Sequence, residues 1–181
     1  MKGTYDKIYS KLAQAHNDLL SSGTSVQKLA LIGVAPPSKK NVIRDLAQSI
    51  PHKYFGKDYF DAMTIVMQSH WLVSLTIDIV IGDFLMPGTN MPKRSILVFD
   101  VLFQVPFHAK VGILEKHSLI PKNQLDNLGR INSLRNGFAH FYKPTDTRMH
   151  YRKIPIVSEA GLERFWRDCE DVNGACLNSV K

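Results

Sequence analysis

An arginine, an asparagine and a histidine stand close together at Arg135, Asn136 and His140, flanked by the apolar Leu134, Phe138 and Phe141. A guanidinium keeps its charge at any working pH and offers a phosphate a planar fork of donors. An imidazole takes up and returns protons near neutrality. An amide can hold a phosphate oxygen or orient the ring. Together these types suit cleavage of a phosphodiester without a metal, one group moving protons while a fixed cation stabilises charge building on phosphorus. A basic stretch follows at once, with Tyr142, Lys143, Arg148, Arg152 and Lys153. Its cations could track a phosphate backbone and its tyrosine could stack on a base. The plainer alternative is that Arg135 and His140 cap a helix end and the basic stretch is a solvated loop.

The element that must position these groups is a helix predicted from about Lys122 to Arg135, with Leu125, Leu128, Ile131 and Leu134 on one stripe. Arg135 follows Ile131 and Leu128 at helical spacing, so its stem should run along the core edge. His140 lies five residues further on, about 140° around an unbroken helix. The two side chains would then point apart. Either the helix relaxes or ends near Gly137, whose backbone is permissive, or two chains each supply one group to a shared cleft.

The rest of the chain also reads as helix. Tyr5, Ile8, Tyr9, Leu12, Ala15, Leu19 and Leu20 mark an amphipathic helix over residues 4–21, stopped at Ser21-Ser22-Gly23. Leu29 to Val34 is a short apolar piece ended by Pro36-Pro37, and a short helix is expected from Lys40 to Ser49. Tyr54 to Phe84 is apolar around most of its girth, which predicts a central buried helix. Within it, Asp78 and Asp83 should pair with basic groups or face a bundle edge. Met86 to Pro92 is a loop, and Ser95 can cap a helix running to about His117 with a kink at Pro106. A last helix from Ser158 to Leu177 carries Leu162, Phe165, Trp166, Cys169 and Val172. The expectation is all-α: an antiparallel four-helix bundle over residues 54–181 with an N-terminal helical extension over residues 1–53.

Leu134-Arg135-Asn136-Gly137-Phe138-Ala139-His140 resembles the signature of the HEPN superfamily, an Arg followed after a few residues by a His, with a polar residue often next to the Arg. The likeness spans about residues 55–178 and leaves the N-terminal part outside. It implies a helical bundle that forms a homodimer with its motifs facing each other. Many members are metal-independent endoribonucleases, often toxins of toxin–antitoxin pairs or anti-phage effectors. Arg135, Asn136 and His140 would then be catalytic, RNA the substrate, and a protein antitoxin or regulator a further partner. Products would carry a 2′,3′-cyclic phosphate. Other members bind nucleotides or partners without cleaving, which leaves an inactive adaptor as the alternative.

Composition agrees with a globular domain: 181 residues, 44% hydrophobic, 22% charged, with a net charge of +7 that favours an anionic partner. The two cysteines, Cys169 and Cys176, have no metal or redox spacing and read as apolar positions seven apart on one helix face. His108 and His117 are nine apart and fit no metal spacing. No cofactor or metal is expected. The N-terminus shows no apolar signal region, and the run Trp71 to Leu85 is short for a membrane span, so a cytoplasmic, membrane-free setting is expected.

Overall fold

The computed structural model describes residues 2–22, 55–88 and 101–180. The stretch with the fewest polar side chains makes the longest helix among them, α2 (Lys57–Leu85). Its apolar residues point all round the axis, so it must be covered all round. It packs against four other helices: α1 (Lys2–Ser22), α3 (Phe107–Lys116), α4 (Lys122–Ala139) and α5 (Glu159–Ser179). Tyr59, Ile65, Ile77 and Ile81 are among its fully buried side chains. By length and composition alone α2 could cross a membrane, being longer than the apolar run suggested, but 72% of its most apolar window is buried inside the fold.

The other helices show one apolar stripe each. Ile8, Tyr9 and Leu12 of α1 are buried against α2 and α5, and Ile8 and Leu12 belong to the same core cluster as the later helices. The stripe of α4 contributes Leu128, Ile131, Leu134 and Phe138. That of α5 contributes Leu162, Phe165, Trp166, Cys169, Val172 and Cys176, both cysteines being free thiols in the core. Burial pushes the Cys176 thiol up to about 12. Ser158 caps α5, its Oγ accepting from the Gly161 amide at 3.1 Å.

Three expectations need correction. Pro106 does not kink a continuous helix. Residues Leu102–Gln104 form a 3-10 turn, Val105 is extended, and α3 starts after Pro106. A proline drives its predecessor out of the helical region and has no N–H to give, so the chain breaks here and restarts. Second, the helix expected to stop at about Arg135 runs on as α4 to Ala139, without a bend at Gly137. Third, the stretch after it is not all loop. A 3-10 turn (Thr147–Met149) leads into a small antiparallel hairpin, β1 (His150–Tyr151) with β2 (Ile154–Pro155), pairing His150 with Pro155 and Tyr151 with Ile154. The expected pieces Leu29–Val34 and Lys40–Ser49, and the Ser95 cap, lie outside the described residues.

Candidate functional site: a basic cleft beside α4

The path of α4 decides where the three polar residues go. Gly137 is buried, and a side chain there would meet the Met149 sulfur at 2.9 Å. Its role is close packing, not a bend. The helix closes three residues later in a Schellman arrangement: the Tyr142 amide donates to the Gly137 carbonyl and the Phe141 amide to the Phe138 carbonyl, both at 3.0 Å. Phe141 takes the left-handed position at φ 51°, where glycine is usual, at a cost of about 1 kcal/mol. Its ring rests edge-on against Phe55. The unbroken helix therefore keeps Arg135 and His140 on different sides.

Arg135 and Asn136 line a cleft of about 560 Å3 between α4, α2 and the start of α3. Its polar lining consists of His70, Ser74, His108, Lys110, Asn132, Arg135 and Asn136, with no acidic side chain among the lining residues. Met67, Trp71, Phe103 and Phe107 give it apolar walls, and Phe103 is 58% exposed at its mouth. The Arg135 guanidinium donates to Asn136 Oδ1 at 3.1 Å and makes no ion pair among the described residues. Below it, Lys110 is buried with its ammonium 2.7 Å from one Asp78 oxygen and 2.8 Å from the other, so that charge is already compensated. Burial pushes the Asp78 carboxyl up to about 6 despite that partner.

His70 is the residue that sequence reasoning missed. It comes from the buried helix α2, yet it opens into the cleft and lies 3.2 Å through Nε2 from Asn132 Oδ1. Its ring packs on Phe107 at 4.5 Å. Burial, reinforced by the nearby Arg135 charge, lowers its pKa to about 4, so it is a neutral imidazole at pH 7. The signal was the stripe Asn132, Arg135, Asn136: three polar residues at helical spacing need a polar floor opposite them.

Comparison with protein-family models, curated proteins and solved structures finds no match.

His140 is exposed at the end of α4 and is not among the lining residues of this cleft. It stacks instead on Tyr142 at 5.8 Å, and the Arg148 guanidinium lies 3.6 Å over the same tyrosine ring. Arg148 is further fixed by a two-pronged contact with Asp146 at 2.9 and 2.6 Å, which holds that half-buried carboxyl down to about 2. Arg152 donates to Asp168 at 2.7 Å and to Asn127 at 2.7 Å. Lys143 and Lys153 are exposed.

Arg148 and Arg152 line a second cleft of about 520 Å3 between α4 and the hairpin, together with Asp126, Arg130 and His150 among others. Two of its arginines differ from Arg135 in being held by a carboxylate, Arg148 by Asp146 and Arg152 by Asp168, while Arg130 donates to the Asn127 amide oxygen at 3.1 Å, an acceptor it shares with Arg152. Asp168 is 2% exposed and also accepts from the Tyr151 hydroxyl at 2.8 Å. The turn it holds has Arg152 and Lys153 both at positive φ, 49° and 68°, a hairpin geometry that normally selects Asn and Gly. The bonds from Asp168 and Asn127 hold it there.

Proposed function

We propose that this chain is a metal-independent RNA endonuclease of the HEPN type, built on an antiparallel four-helix bundle of α2 to α5 and working as a homodimer. The observation that carries the reading is the Arg135 guanidinium, which meets no carboxylate among the described residues, in a cleft lined by basic and neutral polar groups. A buried or half-buried cation without a counter-charge suits an anion that arrives from outside, and a phosphodiester is such an anion. In this reading Arg135 and Asn136 hold the phosphate of one RNA strand. His140 from the second copy takes the proton from the ribose 2′-hydroxyl as its oxygen attacks phosphorus. The 5′-oxygen leaves with a proton, giving a 2′,3′-cyclic phosphate and a 5′-hydroxyl. Tyr142, Lys143, Arg148, Arg152 and Lys153 flank the path of the strand. A role as a toxin or anti-phage effector, a restraining protein partner and a cytoplasmic setting belong to the same proposal.

A second reading, a HEPN-like dimer that binds RNA or a partner without cutting, is favoured by the position of His140 outside the Arg135 cleft. Incubation of the purified protein with mixed RNA in EDTA separates the two. Cleavage to cyclic-phosphate ends, lost in Arg135→Ala and in His140→Ala, is the expected result. Intact RNA at protein excess, or variants that cut as well as the wild type, would sink the nuclease reading.

A further inference from the structure

The cleft that holds Arg135 is larger than a phosphate needs, and its remaining surface has a chemistry of its own. At about 560 Å3 it is within the size range of small-molecule sites. Trp71, Phe103 and Phe107 supply flat apolar surface, and an aromatic as exposed as Phe103 beside a polar cleft is a ready stacking platform. The polar groups around them are mostly donors. Asn136 Oδ1 is occupied by Arg135, which leaves the Asn136 amide N–H2 without a protein partner among the described residues. Asn132 Oδ1 is occupied by His70, which leaves the Asn132 amide N–H2 in the same condition. For that contact His70 must carry its proton on Nε2, so Nδ1 keeps a lone pair.

We infer that this cleft is a base-reading subsite for one unstacked nucleotide of single-stranded RNA, selective for the keto bases guanine and uracil. The inference rests on the RNA reading above and adds the recognition element to it. Guanine presents O6 and N7, and uracil O2 and O4, all acceptors for the Asn132 amide and for the second N–H of Asn136, whose first holds the phosphate. Each also carries an imino N–H next to a carbonyl, a match for the lone pair on His70. Adenine and cytosine carry an exocyclic amino group where the keto bases carry an oxygen, and set donor against donor. Neutrality matters here: a protonated His70 would lose its acceptor and add a second charge beside Arg135. Trp71 and Phe103 then hold the base by its faces, which is sequence-tolerant and adds affinity without choice.

Trp71 makes the subsite its own reporter. The other tryptophan, Trp166, is buried on α5, 5% exposed, and away from this cleft. Titration of the 181-residue chain with GMP, UMP, AMP, CMP and inorganic phosphate, followed by tryptophan emission, is expected to show saturable quenching by GMP and UMP. AMP and CMP should need about tenfold more ligand, the usual discrimination of one well-made base contact. Phosphate alone should not quench, and Trp71→Phe should abolish the signal. Asn132→Ser, which removes the amide donors while keeping an oxygen for His70, should bring AMP and CMP to within about twofold of GMP and UMP. Circular dichroism checks that this variant is folded. Equal quenching by all four nucleotides, or none at millimolar concentration, overturns the inference. Keto-selective binding by a protein that leaves RNA intact upholds the subsite and overturns the nuclease. Cleavage with no base preference at the cut, together with no quenching, does the reverse.

Discussion

Arg135→Ala and His140→Ala should each be inactive alone and active together. Because α4 is unbroken from Lys122 to Ala139, five residues carry His140 about 7.5 Å along the axis and about 140° around it from Arg135. A helix with its side chains is about 10 Å across, so the two groups leave on different sides. One phosphate cannot touch both within one copy unless α4 unwinds, and the packing of Gly137 under Met149 and the closing bonds from Phe141 and Tyr142 hold it wound. A two-fold dimer that joins Arg135 of one copy to His140 of the other has two such sites. In a mixed dimer of the two variants one site keeps both groups and the other has neither. Random pairing at equal ratio makes about half of the dimers mixed, so roughly a quarter of wild-type activity should return. The assay is the initial rate of cleavage of a fluorescent single-stranded RNA in EDTA, after co-expression of the two variants. An active wild type with no recovery in the mixture would refute the composite site.

Gly161→Ala should dislodge the hairpin from α5, because its new methyl would collide with the Pro155 carbonyl carbon and oxygen; Gly137→Ala meets only the flexible end of Met149 and should cost about 1 kcal/mol, both read by thermal melting. Lys110→Met strands the buried Asp78 carboxylate and should destabilise by about 3 kcal/mol in urea titrations, whereas adding Asp78→Leu to it should restore most of the loss. A smaller loss in the single variant than in the double would contradict this. The pH dependence carries a sign that can be checked. The His70 pKa is lowered to about 4, so the stability tied to its neutral ring is complete above about 6.5 and is lost as pH falls through about 4. The Asp78 pKa is raised to about 6, so its contribution is complete below its ordinary value and is lost as pH rises through about 6. The two oppose each other, and His70→Gln should gain stability relative to wild type on acidification from pH 6.5 to 4. A variant that loses ground over that window would show that His70 is not buried neutral.

The helices were legible because each has a reason written along the chain. α2 is apolar on all sides, α4 and α5 carry one stripe each, and Ser158 stands where a cap is needed. What was misread depended on contacts between distant residues. Gly137 looks like a hinge from composition, but its missing side chain makes room for Met149, twelve residues on. Arg152-Lys153 does not look like a turn, since neither residue favours positive φ. Asp168 and Asn127, from two different helices, impose the conformation. His70 lies within a helix that is apolar around most of its girth, and spacing cannot tell an inward face that meets side chains from one that meets a cleft.

The same distinction separates the two clefts flanking α4. Charge alone favours the hairpin side, where Arg130, Arg148 and Arg152 crowd together. Yet Arg148 and Arg152 are already held by carboxylates and have little left to offer a phosphate, and taking them away would uncover Asp146 or the buried Asp168, while Arg130 shares its amide acceptor Asn127 with Arg152. Arg152 in particular holds a turn that has no other reason to form. The Arg135 side has fewer cations, but among the described residues its guanidinium meets only an amide oxygen and its amides keep their donors. A ligand there gains contacts without breaking any. The groups that hold this fold together are thus largely those that a count of basic residues would choose first, and the group with most to gain from an anion is the one the short motif contains.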